Sequence, residues 1–220
     1  MAEEEKNPEL EESAQTPEGE AGEDRKEPDT LENLIYCWAQ ALTGAVVGVV
    51  LLFTFAVRLI GVSGPSMQDT LYTGDRLLVL NAMFCDFKAG DVVVINAYNA
   101  ELSDTIVKRI VATGGQTVDI DPLTGAVSVD GRMLAESYVK EPYYYDYGGR
   151  AIDFPVTLEE DEVFVLGDNR NHSTDSRSVM LGPVKVGYLQ GKALFLVVPG
   201  ETPDTQTRDW GRIGSLAPTA

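Results

Sequence analysis

The hydrophobic and polar positions divide the chain into a polar start, one long apolar stretch and a series of short apolar runs. Residues 34–57, "LIYCWAQALTGAVVGVVLLFTFAV", carry no formal charge and could span a bilayer of ~30 Å as a helix. Polar residues do not recur there at helical spacing, as they would on the wet face of a soluble core helix. Tyr36 and Trp38 suit an interfacial aromatic belt, and Arg58 can snorkel at the other end. The stretch therefore predicts a transmembrane helix.

Beyond Val62 the apolar runs become short and are separated by turn residues. Examples are "DVVVINAY", "DTIVKRIVA", "EVFVLGD" and "ALFLVVP", which are rich in Val, Ile, Leu and Phe and are bounded by Gly, Asp, Asn and Pro. Asp130-Gly131 is a hairpin-type turn. We find no run of helical period and no internal repeat in this part. The pattern predicts a mainly β domain, an antiparallel barrel or packed sheets, preceded by one N-terminal transmembrane helix.

These patterns and the charge distribution predict four regions. We expect a disordered acidic tail at 1–32, an anchor helix at 33–61, a β-rich domain at 62–200 and a polar, frayed tail at 201–220. The chain has 220 residues and a formal net charge of −18. Because nothing in it resembles a basic patch, nucleic acid is not expected as a partner. The few basic residues on either side of the apolar stretch do not decide its orientation.

The cysteine and histidine content limits the possible chemistry. Cys37 lies in the apolar stretch and Cys85 in the β-rich domain, so a disulfide between them is not expected. Neither cysteine has metal-ligand spacing to another Cys or His. We therefore predict no metal and no cofactor.

The segment "SGPSM", residues 63–67, contains a candidate nucleophile just beyond the apolar stretch. Ser66 there is either part of an ordinary turn or a nucleophile, and a nucleophilic serine needs a group that takes its proton. His172, the only histidine, would allow a triad with Asp168 or Asp175. It lies in the polar loop "LGDNRNHSTDSR", where an exposed histidine is the simpler interpretation.

A lysine is the other possible base, provided that burial keeps it neutral. Lys108 is the one lysine placed within a strongly apolar run, "DTIVKRIVATGG". In a strand, the two-residue period would put Ile106, Lys108 and Ile110 on one face, where the amine would lose its hydration. An outward-facing lysine on an edge strand fits the same pattern, so periodicity leaves both arrangements open.

Four stretches together make the chain resemble the bacterial type I signal peptidases, which are membrane-anchored serine–lysine proteases. "VSGPSMQDTLYTGD" (62–75) resembles the nucleophile box, "KAGDVVVI" (88–95) the strand after it, and "VKRIVATGGQTV" (107–118) the lysine box. "GDNRNHSTDSR" and the following "GPV", within 167–184, resemble the final signature box. The resemblance implies Ser66 as the nucleophile and Lys108 as the general base.

The resemblance also implies supporting roles for the signature loop. Ser173 would orient the amine of the catalytic lysine, and Asp175 and Arg177 would form an ion pair. Asp168 and Arg170 would help to fix the same loop.

Two departures from the family pattern concern the turn around the nucleophile. Asp69 stands where many members have proline, which predicts a less rigid turn. Gly64 stands where some members have a hydroxyl residue that donates to the oxyanion. The oxyanion site would then rest on the Ser66 N–H, with Ser63 or water as a second donor.

By family position, four residues are candidate walls of small apolar substrate pockets, and each is also a plausible core residue: Met67, Leu71, Ile106 and Val107. The resemblance implies an endopeptidase that removes N-terminal signal peptides after small residues of the A-x-A type, through an acyl-enzyme. The partners would be preproteins, the lipid bilayer and the secretion machinery. The chain would be a single-pass protein of the plasma membrane with a cytoplasmic N-terminus and an extracytoplasmic catalytic domain, like the single-anchor form of Gram-positive bacteria.

Two other functions remain compatible with a β-rich domain on an anchor. A non-catalytic binding module would use the same scaffold and would not be labelled by serine-directed reagents. A self-cleaving repressor-type protease would share the serine–lysine pair, but it should carry a DNA-binding segment where this chain has an acidic tail and a membrane helix.

Overall fold

The computed structural model describes residues 30–97, 105–141, 151–203 and 205–216. Their contacts divide the chain into two compact units, Met1–Ala45 and Val46–Ala220. Most of the predicted acidic tail lies outside the described residues.

The apolar stretch forms a helix from Leu31 to Leu51, α1, and continues as one π-helical turn over Leu52–Ala56. None of its residues is buried. Within the described part of the chain it is the one helix long and apolar enough to cross a membrane, which fits an anchor. The helix ends at Ala56, ahead of the boundary predicted at residue 61, because the next five residues pair with another strand.

The remaining regular structure is mostly β. Among the described residues, four short 3₁₀ turns cover Ala82–Phe84, Arg170–His172, Val186–Tyr188 and Trp210–Arg212. The described residues form twelve strands: β1 (Val57–Gly61), β2 (Arg76–Asn81), β3 (Val92–Asn96), β4 (Thr105–Thr113), β5 (Thr117–Ile120), β6 (Val127–Val129), β7 (Arg132–Met133), β8 (Val156–Thr157), β9 (Glu162–Leu166), β10 (Val184–Lys185), β11 (Leu189–Val198) and β12 (Gly214–Ser215).

The strands form two sheets in which all pairs are antiparallel. The larger has the order β1-β2-β11-β3-β4-β9-β10, with β12 added to β11, and the smaller has the order β7-β6-β5-β8. The prediction of a mainly antiparallel β domain is therefore confirmed. The segment 205–216, expected to be a frayed tail, contains one 3₁₀ turn and β12, which pairs with Phe195 and Leu196.

The centre of the larger sheet is covered on both faces. Alternate residues of β3 enter two different core clusters, Val92 and Val94 in one, Val93 and Ile95 in the other. A strand buried on both sides reads as a continuous apolar run, as "VVVI" does here. β3 is thus enclosed on both faces, next to the strand that carries Lys108.

Two connections of this sheet carry the predicted site. The β1–β2 hairpin holds residues 62–75, closed by hydrogen bonds from Val62 N–H to the Asp75 carbonyl and from Gly74 N–H to the Val62 carbonyl. The connection from β9 to β10 holds the signature loop. Between them runs β4, with Lys108 opposite Val93 on β3 and Arg109 opposite Leu166 on β9.

Candidate active site

Ser66 lies in the β1–β2 connection, half-buried, on a turn that is tied to the signature loop. The Asn169 N–H donates to the Ser66 carbonyl at 3.0 Å, and the Asn169 side-chain amide donates to the Pro65 carbonyl at 3.2 Å. Behind the turn, Met67 and Leu71 are buried in the core. The backbone of Ser66 is therefore held from both sides.

Lys108 is buried and contacts the candidate nucleophile. Its Nζ donates to Ser66 Oγ at 2.8 Å, and the residue is 3% exposed. Burial lowers its pKa from 10.5 to about 8, against an opposing effect of the nearby Asp175 carboxylate. Of the two arrangements that periodicity left open, the structure has the buried one, and a large fraction of this amine is neutral near pH 8.

His172 does not share this arrangement. It ends the 3₁₀ turn Arg170–His172, is exposed, and donates through its backbone N–H to the Asn169 carbonyl. The described hydrogen bond to Ser66 Oγ comes from Lys108 instead. The geometry thus favours the serine–lysine pair over a histidine triad.

Asp175 and Arg177 form a buried ion pair beneath the site. Arg177 Nε donates to Asp175 Oδ1 at 2.8 Å and its NH2 nitrogen to Oδ2 at 2.9 Å. Burial alone would raise the pKa of Asp175, but the Arg177 charge and the Gly167 N–H hold it below the usual value. Asp175 is therefore a fixed negative charge near Lys108.

Ser173 and Gly167 lie close to the nucleophile turn. Ser173 is 8% exposed and lies beside the Asp175 carboxylate, where it contributes to the lowered pKa of that group. A Cβ at Gly167 would lie 2.3 Å from Ser173 Oγ and 2.5 Å from the Ser66 carbonyl oxygen. Only glycine fits this gap, so Gly167 sets how closely the signature loop approaches Ser66.

Asp168 joins the three site segments. It is 1% exposed and accepts from Arg109 Nε at 2.9 Å, from the Arg109 NH2 nitrogen at 2.7 Å and from Thr70 Oγ1 at 2.5 Å. Burial would lower the pKa of Arg109, but the bonds and charge of Asp168 raise it. Neither Arg109 nor Thr70 was singled out from the sequence, although both lie within the quoted boxes.

Arg170 is also paired, with a residue outside every quoted box. Its NH1 and NH2 nitrogens donate to the Glu136 carboxylate at 3.0 and 2.5 Å. Sequence reasoning missed Glu136, because "LAESYVK" shows no pattern that links it to the site.

A fourth ion pair anchors the far end of the nucleophile box. Asp75, fully buried, accepts from Arg212 at 3.1 and 2.6 Å, and Arg212 also donates to the Thr70 carbonyl at 3.2 Å. Its guanidinium lies over the Tyr72 ring at 4.4 Å. Arg212 comes from the segment expected to be a frayed tail, so no sequence signal marked it.

Gly64 and Asp69, the two residues that depart from the family pattern, both lie where few atoms crowd them. Gly64 has a φ of +92°, which favours glycine, and a Cβ there would meet no atom within 4 Å. Asp69 is exposed and lies 3.6 Å from Lys140 Nζ. There is thus open space two residues before the candidate nucleophile.

The four candidate pocket residues fall in two places. Met67, Leu71 and Val107 are buried in one core cluster, while Ile106 is partly buried against another. A role as pocket walls stays a prediction for all four. Among the described residues, no group of three or more His, Cys, Asp or Glu side chains could hold a metal ion.

Comparison with known proteins gives consistent relatives. The family model "Signal peptidase, peptidase S26" matches residues 35–198. A signal peptidase I of Bacillus amyloliquefaciens is 33% identical over 79% of this chain and 94% of its own length. A probable signal peptidase I-1 of a Synechocystis species is 32% identical over 78% of this chain and 83% of its own length. A solved signal peptidase I of Enterococcus faecalis covers 49% of this chain and 97% of its own, at 24% identity and a TM-score of 0.39, which is too slight a likeness to support a conclusion.

Proposed function

The chain belongs to the signal peptidase family, peptidase S26, and on that premise we propose that Ser66 is the catalytic nucleophile and Lys108 its general base. The function is that of a signal peptidase I, a serine endopeptidase. The observation that carries the assignment of the two residues is the 2.8 Å contact between Lys108 Nζ and Ser66 Oγ in a buried site.

The reaction follows from the properties of the buried amine. Neutral Lys108 accepts the hydroxyl proton while Ser66 Oγ bonds to the scissile carbonyl carbon. The ammonium returns that proton to the leaving amine, the C–N bond breaks, and an acyl-enzyme remains. Lys108 then deprotonates a water that attacks the ester, which releases the signal peptide as a carboxylate and restores Ser66. A pKa of about 8 suits both halves of this cycle, because the amine must accept and give up a proton.

The oxyanion of the tetrahedral intermediate needs a donor beside Ser66. We assign this to the Ser66 N–H, with Ser63 or water as the second donor. The open space at Gly64 leaves room for the substrate carbonyl there. Ser173, which is buried and packs closely against Gly167 beside the nucleophile turn, is proposed to orient the Lys108 amine.

The substrates are preproteins with signal peptides. Cleavage after small residues of the A-x-A type would follow from shallow pockets formed by Met67, Leu71, Ile106 and Val107. Three of these side chains, Met67, Leu71 and Val107, are packed in the core beside the nucleophile turn, so they would limit the depth of such pockets from beneath.

The helix Leu31–Ala56 fits a membrane anchor and makes the lipid bilayer a partner. We propose that the acidic N-terminal tail is cytoplasmic and that the β domain is extracytoplasmic, beside the secretion machinery, as in the single-anchor form. Signal peptides carry an apolar core, so their cleavage point emerges at the same bilayer surface.

The test is cleavage of a purified preprotein in detergent by the wild type and three variants. We expect Ser66→Ala and Lys108→Ala to be inactive and His172→Ala to cleave nearly as fast as the wild type. Activity of Lys108→Ala together with loss in His172→Ala would replace the pair with a histidine triad. If the folded wild type cleaves no preprotein, the result favours the alternative function of a non-catalytic binding module.

A further inference from the structure

A five-residue segment outside the recognised motifs contacts all three chain segments that carry the site. Residues 136–140 follow β7 of the smaller sheet, yet their partners lie in the nucleophile turn, on β4 and in the signature loop. The contacts are those of Glu136 with Arg170, of the Tyr138 ring with the Arg109 guanidinium at 4.2 Å, of the Lys140 N–H with the Asp168 carbonyl at 3.3 Å, and of Lys140 Nζ with Asp69 at 3.6 Å.

Glu136 is the most strongly bound member of this segment. Its Oε2 accepts from Arg170 NH1 at 3.0 Å, and its Oε1 accepts from Arg170 NH2 at 2.5 Å and from the Tyr138 hydroxyl at 3.0 Å. The side chains of Glu136 and Arg170 are 11% and 3% exposed. A planar guanidinium bound through two nitrogens to one carboxylate is fixed in position as well as in charge.

Arg170 passes this restraint to the nucleophile turn. Its Nε donates to the Gly167 carbonyl at 3.1 Å. Gly167 in turn has no room to move toward its neighbours, because a Cβ there would meet Ser173 Oγ at 2.3 Å and the Ser66 carbonyl oxygen at 2.5 Å. A displacement of Gly167 therefore changes the position of Ser66, of Ser173, or of both.

We propose that Glu136 is a positioning residue of the peptidase, which acts through Arg170 to hold Gly167 against Ser66 and Ser173. The inference rests on the proposed function, since it supposes that Ser66 and Lys108 carry out the chemistry. Glu136 itself touches neither of them in the described contacts.

Removal of the Glu136 carboxylate leaves Arg170 as a buried cation without its counter-ion. The guanidinium must then turn toward another acceptor or toward water, and its bond to Gly167 is lost or bent. Because Ser66 and Lys108 are in hydrogen-bond contact, a shift of about 1 Å in the turn is enough to lower the rate by about 100-fold. The effect falls on kcat, because substrate contacts away from the turn are unchanged.

The experiment measures kcat and KM for preprotein cleavage, per folded molecule, in Glu136→Gln, Glu136→Ala, Arg170→Met and the double variant Glu136→Ala/Arg170→Met. Glu136→Gln keeps the shape of the side chain and remains informative if the alanine variant does not fold. We expect kcat to fall about 10-fold in Glu136→Gln and about 100-fold in Glu136→Ala, with KM within about twofold. In the Arg170→Met background, Glu136→Ala should lower kcat by less than a further factor of about two, because the guanidinium that Glu136 holds is already absent.

Two results would overturn the inference. One is a double variant whose decrease in kcat equals the product of the decreases in the two single variants, since Glu136 would then act independently of Arg170. The other is a lower melting temperature of Glu136→Ala with an unchanged kcat of the folded enzyme, which is what a merely structural ion pair gives. Glu159→Ala, which breaks an exposed pair with Lys185, is the matched control and should change neither the melting temperature nor kcat.

Lys108→Ala in the same assay separates the two possible failures. If Lys108→Ala cleaves like the wild type, the proposed function fails and this inference fails with it. If Lys108→Ala is inactive while Glu136→Ala is fully active, only the role of Glu136 is overturned.

Discussion

Two adjacent residues of β4 reach two different regions of the site: the amine of Lys108 meets a serine hydroxyl, and the guanidinium of Arg109 meets a carboxylate. The two residues are 3% and 5% exposed, so desolvation acts on both. Burial lowers the pKa of Lys108 to about 8, whereas Asp168 more than offsets burial at Arg109 and raises its pKa. Burial is common to both regions. A direct carboxylate contact and the higher intrinsic basicity of a guanidinium keep Arg109 charged, whereas the buried lysine amine can release its proton.

The largest effect is expected when Lys108 is replaced by arginine, the residue type of its neighbour Arg109. Lys108→Arg keeps a cation beside Ser66, but a guanidinium stays protonated in proteins and cannot accept the hydroxyl proton. We expect kcat to fall by about 10²–10⁴-fold in preprotein cleavage. The melting temperature, measured in the same detergent, should show that the variant is folded. Activity within about threefold of the wild type would contradict a general-base role for this amine.

The second test removes the carboxylate that distinguishes the Arg109 region. Asp168→Asn leaves a buried guanidinium with amide partners in place of a charge, which we expect to lower the free energy of unfolding by about 3–5 kcal/mol. Chemical denaturation measures this, with the exposed Asp161→Asn as the matched control. A loss below about 1 kcal/mol would mean that the Arg109 region tolerates an unpaired charge, and the comparison would lose its basis.

The third test uses pH to follow Lys108 directly. The protonated amine cannot act as a base, so kcat/KM should rise about tenfold per pH unit up to about pH 8 and level off above it. The rise has this sign because burial lowers the pKa of Lys108 and deprotonation creates the active form. A rate profile of the wild type between pH 6 and 9.5 measures the midpoint. A midpoint near about 6.5, the ordinary histidine value, would indicate a different base.

The smallest effect is expected for a lysine with carboxylates but without burial. Lys185 is exposed and lies 3.3 Å from Glu159 and 3.4 Å from Asp161, which raise its pKa. Lys185→Met should leave both the free energy of unfolding and the rate of cleavage nearly unchanged, because water screens such pairs. A larger change in denaturation or activity would show that this edge of the sheet contributes more than the contacts there suggest.

The site could be predicted in part because some residues lie within recognisable sequence boxes. Ser66 and Lys108 were named from those boxes, and the structure brings them together, while their roles stay predictions. Periodicity alone did not decide whether Lys108 points inward, because a strand pattern gives two faces and does not say which is covered. Glu136 and Arg212 had no signal, since an acidic and a basic residue in polar stretches read as solvated surface.

The sequence by itself determined the elements that depend on local pattern: an apolar helix near the N-terminus, short strands between turns, and a serine in a Gly- and Pro-containing turn. Only the tertiary structure decided which charges are buried and with whom they pair. Burial of Lys108 depends on β3 and β9 packing beside β4, and the partners of Asp168, Arg170 and Asp75 come from distant segments. The physical reason is that desolvation and Coulomb energy depend on distances in space, and residues far apart in the chain set those distances once the sheets have formed.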